Sequence, residues 1–308
     1  MYVIVLFYSS LDRLYIPAQA ASVPWLVEKE LLSTANGLFF LTQQASILVG
    51  FGLGGVFVSL IGQQATVILS SAFLFLAALA AYCLPKKSPP RGINNNAGFK
   101  EFMQDIVDGY KLLSTHEYLK FPFGLVIFLQ AFITVVAILL PSFTYEALGL
   151  DLNYAGSILI IPGAIGALVA SFNLPTILQK YRKKHVVQTG VLMAGIALLM
   201  VSYSWIVPPD YRLFIAAISA FIVGGSFASA MIPANTFIQE KTPQDFSGRI
   251  YGLLGFFATV ATMIPLMAVA SLADIFGSRS ILTVLSLLLF AGFLYIKKKG
   301  AILLHVKE

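Results

Sequence analysis

Long uncharged stretches alternate with short charged segments along this chain of 308 residues. Residues 31–85 contain no charged side chain, and uncharged stretches recur at 121–145, 152–179, 186–209, 213–239, 250–273 and 280–296. About 20 apolar residues in a helix cross the hydrocarbon core of a bilayer. The stretches do not alternate apolar and polar residues with a period of two, unlike the strands of a transmembrane barrel. The chain is therefore predicted to be an all-α polytopic membrane protein.

Nine membrane spans follow from this pattern. The longest stretch is divided at Gly62, because a glycine followed by two glutamines favours a turn. We predict a first region with three spans (1–84), a linker (85–120) and a second region with six spans (121–308). The predicted spans are 2–17, 37–61, 66–84, 121–143, 154–178, 186–207, 213–236, 250–272 and 280–296.

Basic residues occur mainly in alternate loops. The loops after the first, third, fifth and seventh spans, together with the C-terminal segment, hold 17 of the 20 lysines and arginines. Basic loops stay on the cytoplasmic side of a membrane, so these loops are predicted to be cytoplasmic. The net charge of +6 then indicates anchoring to anionic membrane lipids, and no nucleic-acid partner is expected. The predicted location is the bacterial plasma membrane, crossed several times.

The linker has two parts. Prolines, a glycine and asparagines between residues 85 and 96 favour a loop. From Phe99 to Leu113 apolar residues then recur at helical spacing, with charged residues on the other face. This pattern predicts an amphipathic helix on the inner membrane surface. A mechanical tie between the two regions is one role for this helix, and a regulatory binding site is the alternative.

An internal repeat relates the first three spans to the last three. The tripeptide around Pro17 (Ile-Pro-Ala) recurs around Pro233, 216 residues later (233 − 17), and the turn glycines Gly62 and Gly277 are 215 apart (277 − 62). The fourth to sixth spans have no counterpart within the chain, so the repeat predicts three further helices upstream. Two parallel six-helix halves would then result.

Two parallel six-helix halves resemble the major facilitator superfamily of transporters. Residues 13–27 with Ala35 and Asn36 resemble the end of that family's fourth helix and its fourth loop. Residues 239–243 with 247–249 resemble the loop between its tenth and eleventh helices, most closely in the branch that contains enterobactin and macrolide exporters. The resemblance covers the whole chain as helices four to twelve.

Several motifs of the resemblance are candidates for helix packing or gating. Gly50 and Gly54 stand at i and i+4, and small residues at this spacing let helices approach closely. The alternative interpretation of these glycines is the antiporter motif of the family's fifth helix. Ser46 and Phe51 depart from that motif. The basic loop is either a topology anchor or a gate, although Gln179 stands where the family has an aspartate. The packing and gating candidates are Pro17, Gly50, Gly54, Gly55, Pro233, Gly248 and Arg249, and the basic loop holds Lys180, Arg182, Lys183 and Lys184.

Charged and polar residues within the spans are candidates for the substrate pathway. Arg13 resembles the fourth-helix arginine of drug–proton antiporters, and the alternative is that it extends to the interface beside Asp12. Asp12 is the candidate proton carrier. Uncharged polar side chains could line a cavity or bond between helices. The full set of pathway candidates is Asp12, Arg13, Gln43, Gln44, Gln130, Thr134 and Asn173.

The pattern favours transport over catalysis. The histidines lie at span edges, and no metalloprotease motif, phosphate-binding loop or pair of intramembrane carboxylates occurs in the sequence. Cys83 is the only cysteine, and no cofactor or metal is expected. The resemblance implies a monomeric, proton-coupled exporter of small molecules such as drugs, macrolides or siderophore-like compounds. A non-transporting remnant and a membrane-embedded enzyme or sensor are the alternatives.

Overall fold

The computed structural model describes residues 2–83, 99–149 and 156–303. The described residues form nine α-helices and short helical turns, as their apolar stretches predict. The helices are α1 (Tyr2–Leu26), α2 (Leu32–Tyr82), α3 (Phe99–Thr115), α4 (Glu117–Leu148), α5 (Ile161–Lys180), α6 (Lys183–Ser202), α7 (Pro209–Lys241), α8 (Ser247–Phe276) and α9 (Ser278–Leu303). Within a bilayer, helices satisfy every backbone hydrogen bond internally, which explains why so little irregular backbone separates them.

Seven helices in the described part of the chain are long and apolar enough to cross a membrane. They correspond to the third to ninth predicted spans. The remaining predicted spans, 2–17 and 37–61, fall in α1 and in the first part of α2, and both are helical. The predicted all-α, polytopic fold is therefore confirmed.

The two turn glycines of the predicted repeat share one backbone conformation. Gly62 interrupts α2 with φ 81° and ψ 163°. Gly277 separates α8 from α9 with φ 77° and ψ 149°. Residues with a Cβ rarely adopt this conformation, so both positions require glycine. The predicted division of the longest stretch at Gly62 is confirmed, and α2 consists of a first arm (32–61) and a second arm (63–82).

Helices α4 to α9 pack around a shared core. Buried side chains of α4, α6, α7, α8 and α9 form its main cluster. α5 joins through α7, where backbones touch: a Cβ at Gly166 would overlap the carbonyl oxygen of Phe221. A Cβ at Gly224 would likewise overlap that of Gly163. These small residues provide the close helix approach that sequence reasoning had assigned to α2.

Helices α1 and α2 pack against the outside of this core. α1 contacts α8, and the first arm of α2 contacts α5 and α7. The second arm differs, because none of the residues in the most apolar window of Phe57–Tyr82 is buried. Ile68, Phe73 and Leu76 are among its exposed apolar side chains. The second arm thus has an apolar surface suited to lipid but little contact with the described helices.

The predicted amphipathic helix is present as α3. Gly109 faces α8, where a Cβ would lie 2.9 Å from Leu253 Cδ1 and 3.3 Å from Arg249 Cβ. Val107 and Tyr110 are exposed on another side of α3. This arrangement fits a helix that lies on the membrane surface with one side against the bundle and apolar side chains toward lipid. Residues 85–98 of the predicted linker lie outside the described residues.

The turn at Gly277 is held by the end of α4. The Ser278 amide and hydroxyl donate hydrogen bonds to Glu146 Oε2, at 3.2 and 2.8 Å. Arg279 Nη2 donates to the Glu146 carbonyl oxygen at 3.1 Å. A carboxylate at the first turn of α9 also complements the partial positive charge of that helix end. These bonds fix the α8–α9 turn to α4.

Candidate substrate cavity and polar latch

A cavity of about 370 Å³ lies between α2, α4, α5, α6, α7 and α9. This volume is within the range of about 300–1,000 Å³ that is usual for small-molecule sites. Its described lining is almost entirely aliphatic and aromatic. The lining residues are Gln44, Ile47, Ile133, Val136, Ala137, Leu139, Leu140, Phe143, Leu159, Ile160, Gly163, Ala164, Ala167, Leu198, Val201, Ala216, Ser219, Ala220, Val223, Gly224, Phe227 and Leu282.

Two polar side chains interrupt this apolar lining. Gln44 comes from the first arm of α2 and is half-buried, and Ser219 comes from α7 and is only 2% exposed. None of the described lining residues is ionisable. The Ser219 Oγ atom has no hydrogen-bond partner in the described part of the chain. The cavity therefore suits an uncharged, largely apolar molecule.

A polar latch, defined here as Asn36, Thr236 and Gln239, connects α2 with α7. Asn36 Nδ2 donates to Gln239 Oε1, and it lies 3.1 Å from Thr236 Oγ1. Gln239 Nε2 donates onward to the Ala20 carbonyl oxygen in α1, at 3.2 Å. Thr236 and Gln239 are buried, at 0% and 3% exposure. The latch thus joins three helices at one end of the bundle through neutral hydrogen bonds.

Further contacts close the same end of the bundle. Gln244 Nε2, just before α8, donates to the Pro24 carbonyl oxygen of α1 at 3.1 Å. Gly37 is buried against α5, where a Cβ would lie 3.4 Å from the Ser171 carbonyl oxygen. α1 and the start of α2 are therefore held against α5, α7 and α8. This end is the one predicted to be cytoplasmic.

Ion pairs surround the latch. Lys183 Nζ lies 2.6 Å from Glu240 Oε2, which connects the start of α6 to the end of α7. Arg249 Nη1 lies 3.4 Å from Asp108 Oδ2 of α3, and its guanidinium is 5.0 Å from the centre of the Phe246 ring. Both ion pairs connect helices within residues 99–303, whereas the latch connects α7 to α1 and α2.

The basic loop contributes Lys183 to such a pair, with Glu240. Lys180 and Arg182 are exposed, and Lys184 is half-buried. Glu240 directly follows the latch residue Gln239 in α7. The carboxylate that pairs with the basic loop therefore comes from α7, whereas the family has an aspartate at the position of Gln179.

The described pathway candidates lie at different places in the bundle. Among the candidates whose side chains the structure describes, Gln44 lines the cavity. Gln43, Gln130 and Asn173 are exposed. The Thr134 hydroxyl donates to the Gln130 carbonyl oxygen at 2.8 Å, and Asn173 Nδ2 donates to the Val169 carbonyl oxygen at 2.7 Å. The side chains of Asp12 and Arg13, and the surroundings of Gly54 and Gly55, lie outside the described part of the structure.

The predicted packing role differs among the motif residues. Pro233 is buried in α7, and half-buried Pro17 faces α8, where its Cγ would be 3.8 Å from a Cβ at Gly255. At Gly50 and Gly248, an added Cβ would have no described neighbour within 4 Å. The packing or gating role of these two glycines stays a prediction.

Ser219, in the cavity lining, was missed by sequence reasoning. Serine in an apolar helix most often bonds to the carbonyl oxygen of the preceding turn, so Ser219 carries no signal by itself. Asn36 and Gln239 did stand in the motifs of the family resemblance, but their contact joins residues 203 positions apart (239 − 36). Among the described residues, no group of three potential ligands could hold a metal ion.

Comparison with protein families identifies the family to which this chain belongs. Residues 1–265, well over half of the chain, match the sequence profile of the Major Facilitator Superfamily. The chain belongs to the major facilitator superfamily. Membership, together with seven long apolar helices in the described part of the chain, indicates a multi-pass membrane protein of a transporter family.

Named relatives are distant and longer than this chain. It is 24% identical to the MFS-type transporter YfiS of Bacillus subtilis (strain 168) over 90% of this chain and 66% of YfiS. It is 22% identical to the multidrug efflux pump Tap of Mycolicibacterium fortuitum over 88% of this chain and 63% of Tap. The chain thus spans about two thirds of the length of these relatives.

A solved structure has a similar fold. A bacterial homologue of the iron transporter ferroportin, in an outward-facing state, matches with a TM-score of 0.61 and 16% identity. The match covers 89% of this chain and 66% of that one. At this identity, the likeness concerns the major facilitator fold alone.

Proposed function

We propose that this chain is a secondary active exporter of drug-like compounds that works by alternating access. The observation that carries the proposal is the latch, which holds α1 and α2 against α7 at one end of the bundle. Along α7, Thr236 is nine residues beyond the cavity residue Phe227, about 14 Å at the rise of an α-helix. The cavity and the closed end are therefore separate, as an alternating-access transporter requires.

The lining of the cavity supports the substrate class. A charged ligand would lose its hydration without gaining a described counter-charge, which is costly in an apolar site. Among drugs, macrolides and siderophore-like compounds, uncharged drug-like molecules fit this lining best. The relative Tap is a multidrug efflux pump, which supports export as the direction.

Proton coupling and the branch within the family are further parts of the proposal. Asp12 in α1 remains the candidate proton carrier, on the strength of the sequence resemblance. The relation to enterobactin and macrolide exporters stays a prediction, as do the division into halves at 1–84 and 121–308 and the monomeric state.

The test joins the two sides of the latch covalently. Cysteines replace Asn36 and Thr236 in a Cys83→Ser background, and a short bifunctional methanethiosulfonate links them across a contact of 3.1 Å. Efflux of the uncharged dye Nile red is measured from cells that lack their main exporters. We expect efflux before linking, its loss once the link forms, and its recovery after reduction of the link.

A matched control uses a second polar contact at the same end. Lys183 and Glu240, replaced by cysteines, lie on α6 and α7, which share one core, so their link should leave efflux intact. Efflux that continues at full rate in the linked Asn36–Thr236 variant would contradict alternating access at this latch. Absence of efflux from cells that express the unsubstituted chain would contradict the exporter function itself.

A further inference from the structure

Gln44 lies on the face of α2 that lines the cavity. Phe40 and Ile47 stand on the same face, because residues three and four positions apart are neighbours on a helix surface. The Phe40 ring centre is 5.7 Å from that of Phe227, which lines the cavity, and Ile47 lines it as well. Gln43 is displaced by about 100° around the helix and is exposed. The side chain of Gln44 therefore leaves α2 toward the cavity.

The Gln44 amide is accessible and has no hydrogen-bond partner in the described part of the chain. Thr42 and Ser46, its neighbours on α2, each donate to the carbonyl oxygen four residues earlier, at 2.8 and 2.9 Å. Such a bond satisfies a hydroxyl group within its own helix. Gln44 is half-buried, and neither polar atom of its amide is fully buried, in contrast to Ser219 Oγ. A ligand in the cavity can therefore reach this amide.

A single accessible amide in an apolar lining limits the chemistry that the cavity can recognise. A glutamine side chain presents a carbonyl acceptor and an NH2 donor side by side. A cyclic amide, or lactam, carries the complementary N–H donor and carbonyl acceptor on one edge. Two parallel hydrogen bonds can then form at Gln44, while apolar rings of the ligand contact the aliphatic and aromatic walls.

We infer that Gln44 determines specificity in this cavity by pairing with the lactam edge of an uncharged, mainly apolar ligand. The inference rests on the proposed exporter function and names the ligand class of the same site. Most of the lining belongs to helices that follow α3, whereas Gln44 belongs to the first arm of α2. The pairing thus connects the ligand to the helix that also carries the latch residue Asn36.

Three tricyclic probes of similar shape test this inference. Phenanthridinone is a lactam, N-methylphenanthridinone keeps the carbonyl acceptor but lacks the N–H donor, and phenanthrene has neither group. Equilibrium binding of each probe to the purified 308-residue chain in detergent is measured, with empty micelles as the blank. We expect phenanthridinone to bind roughly three- to tenfold more tightly than its N-methyl derivative, the gain of one neutral hydrogen bond.

Substitutions assign this preference to one amide. Gln44→Leu removes both hydrogen bonds, and comparing the same probe on the wild type and the variant cancels differences in probe hydrophobicity. Affinity should fall roughly ten- to hundredfold for phenanthridinone and roughly three- to tenfold for the N-methyl derivative. Phenanthrene affinity should stay equal or rise, which also shows that the cavity is intact.

The adjacent glutamine provides a matched control. Gln43→Leu makes the same substitution one position earlier on α2, at an exposed side chain that does not line the cavity. All three affinities should then remain those of the wild type.

Three results would overturn the inference: equal binding of the lactam and its N-methyl derivative to the wild type, a lactam preference that survives Gln44→Leu, or no binding of any probe. Its failure is distinguishable from failure of the exporter function. Nile red efflux without a Gln44-dependent lactam preference removes the specificity residue and leaves the exporter. Gln44-dependent lactam binding without efflux supports the site and removes the exporter.

Discussion

Glycines in two parts of this bundle have different surroundings. In α5 and α7, Gly166 and Gly224 lie so close to the facing backbone that a methyl group would overlap a carbonyl oxygen. In α2, an added Cβ at Gly50 would have no described neighbour within 4 Å. Small residues permit close approach of helices, but a close contact forms only where the facing helix also has small residues. α5 and α7 meet this condition with Gly163 opposite Gly224.

Hydropathy does not separate packed helices from unpacked ones either. The spans Phe57–Tyr82 and Pro209–Lys241 both have a mean hydropathy of 2.0, yet the buried share of their most apolar windows is 0% and 33%. Lipid and the protein interior are both apolar, so an apolar helix surface is stable in contact with either. Contact between helices in a membrane depends on shape and on polar groups.

The largest effect is expected at the α5–α7 contact. Gly224→Ala places a methyl group where the Gly163 carbonyl oxygen lies, so the two backbones must separate. The cost should be about 3 kcal/mol or more, at the upper end of overpacking effects. Unfolding in detergent, followed by circular dichroism, measures it. A variant as stable as the wild type would show that the two backbones are farther apart.

An intermediate effect is expected at the two turn glycines. Gly277→Ala forces a side chain into a conformation with φ 77°, which should cost about 1–2 kcal/mol, because Glu146 holds this turn in place. Gly62→Ala introduces the same strain, but the exposed second arm of α2 can shift to relieve it. The thermal stability of the two variants should therefore differ, with Gly277→Ala the less stable. Equal losses would show that the second arm is held as firmly as α9.

The smallest effect is expected at Gly50. Gly50→Ala adds a methyl group that meets no described atom, so the free energy of unfolding should change by at most about 0.5 kcal/mol. The same unfolding assay as for Gly224→Ala gives a direct comparison. A loss close to that of Gly224→Ala would show that a helix does cover this glycine, as the sequence pattern had predicted.

Much of the fold was predictable because local features determine it. Uncharged length predicts the spans, and a glycine before two glutamines predicts the turn at Gly62. The amphipathic spacing from Phe99 predicts α3, which the structure confirms. These features depend on neighbouring residues and on the apolar thickness of a bilayer.

The site was less predictable because it depends on contacts between distant residues. The acidic partner of Lys183 is Glu240, 57 positions away, and the partner of Asn36 lies farther still. Polar type alone selected Gln43, Gln130 and Asn173, which are exposed. Ser219 resembles any other helix serine until its neighbours are known.

Accessibility of the latch during transport is the most direct test of the alternating-access account. Thr236 is 0% exposed, so a cysteine at this position in a Cys83→Ser background should react slowly with N-ethylmaleimide while the latch is closed. Ser202→Cys, at a 3% exposed position in α6, is the control for general loosening of the bundle. During Nile red efflux we expect the Thr236→Cys variant to react several-fold faster and the Ser202→Cys variant to remain unreactive. An unchanged, slow reaction of the Thr236→Cys variant in cells that export the dye would contradict the account.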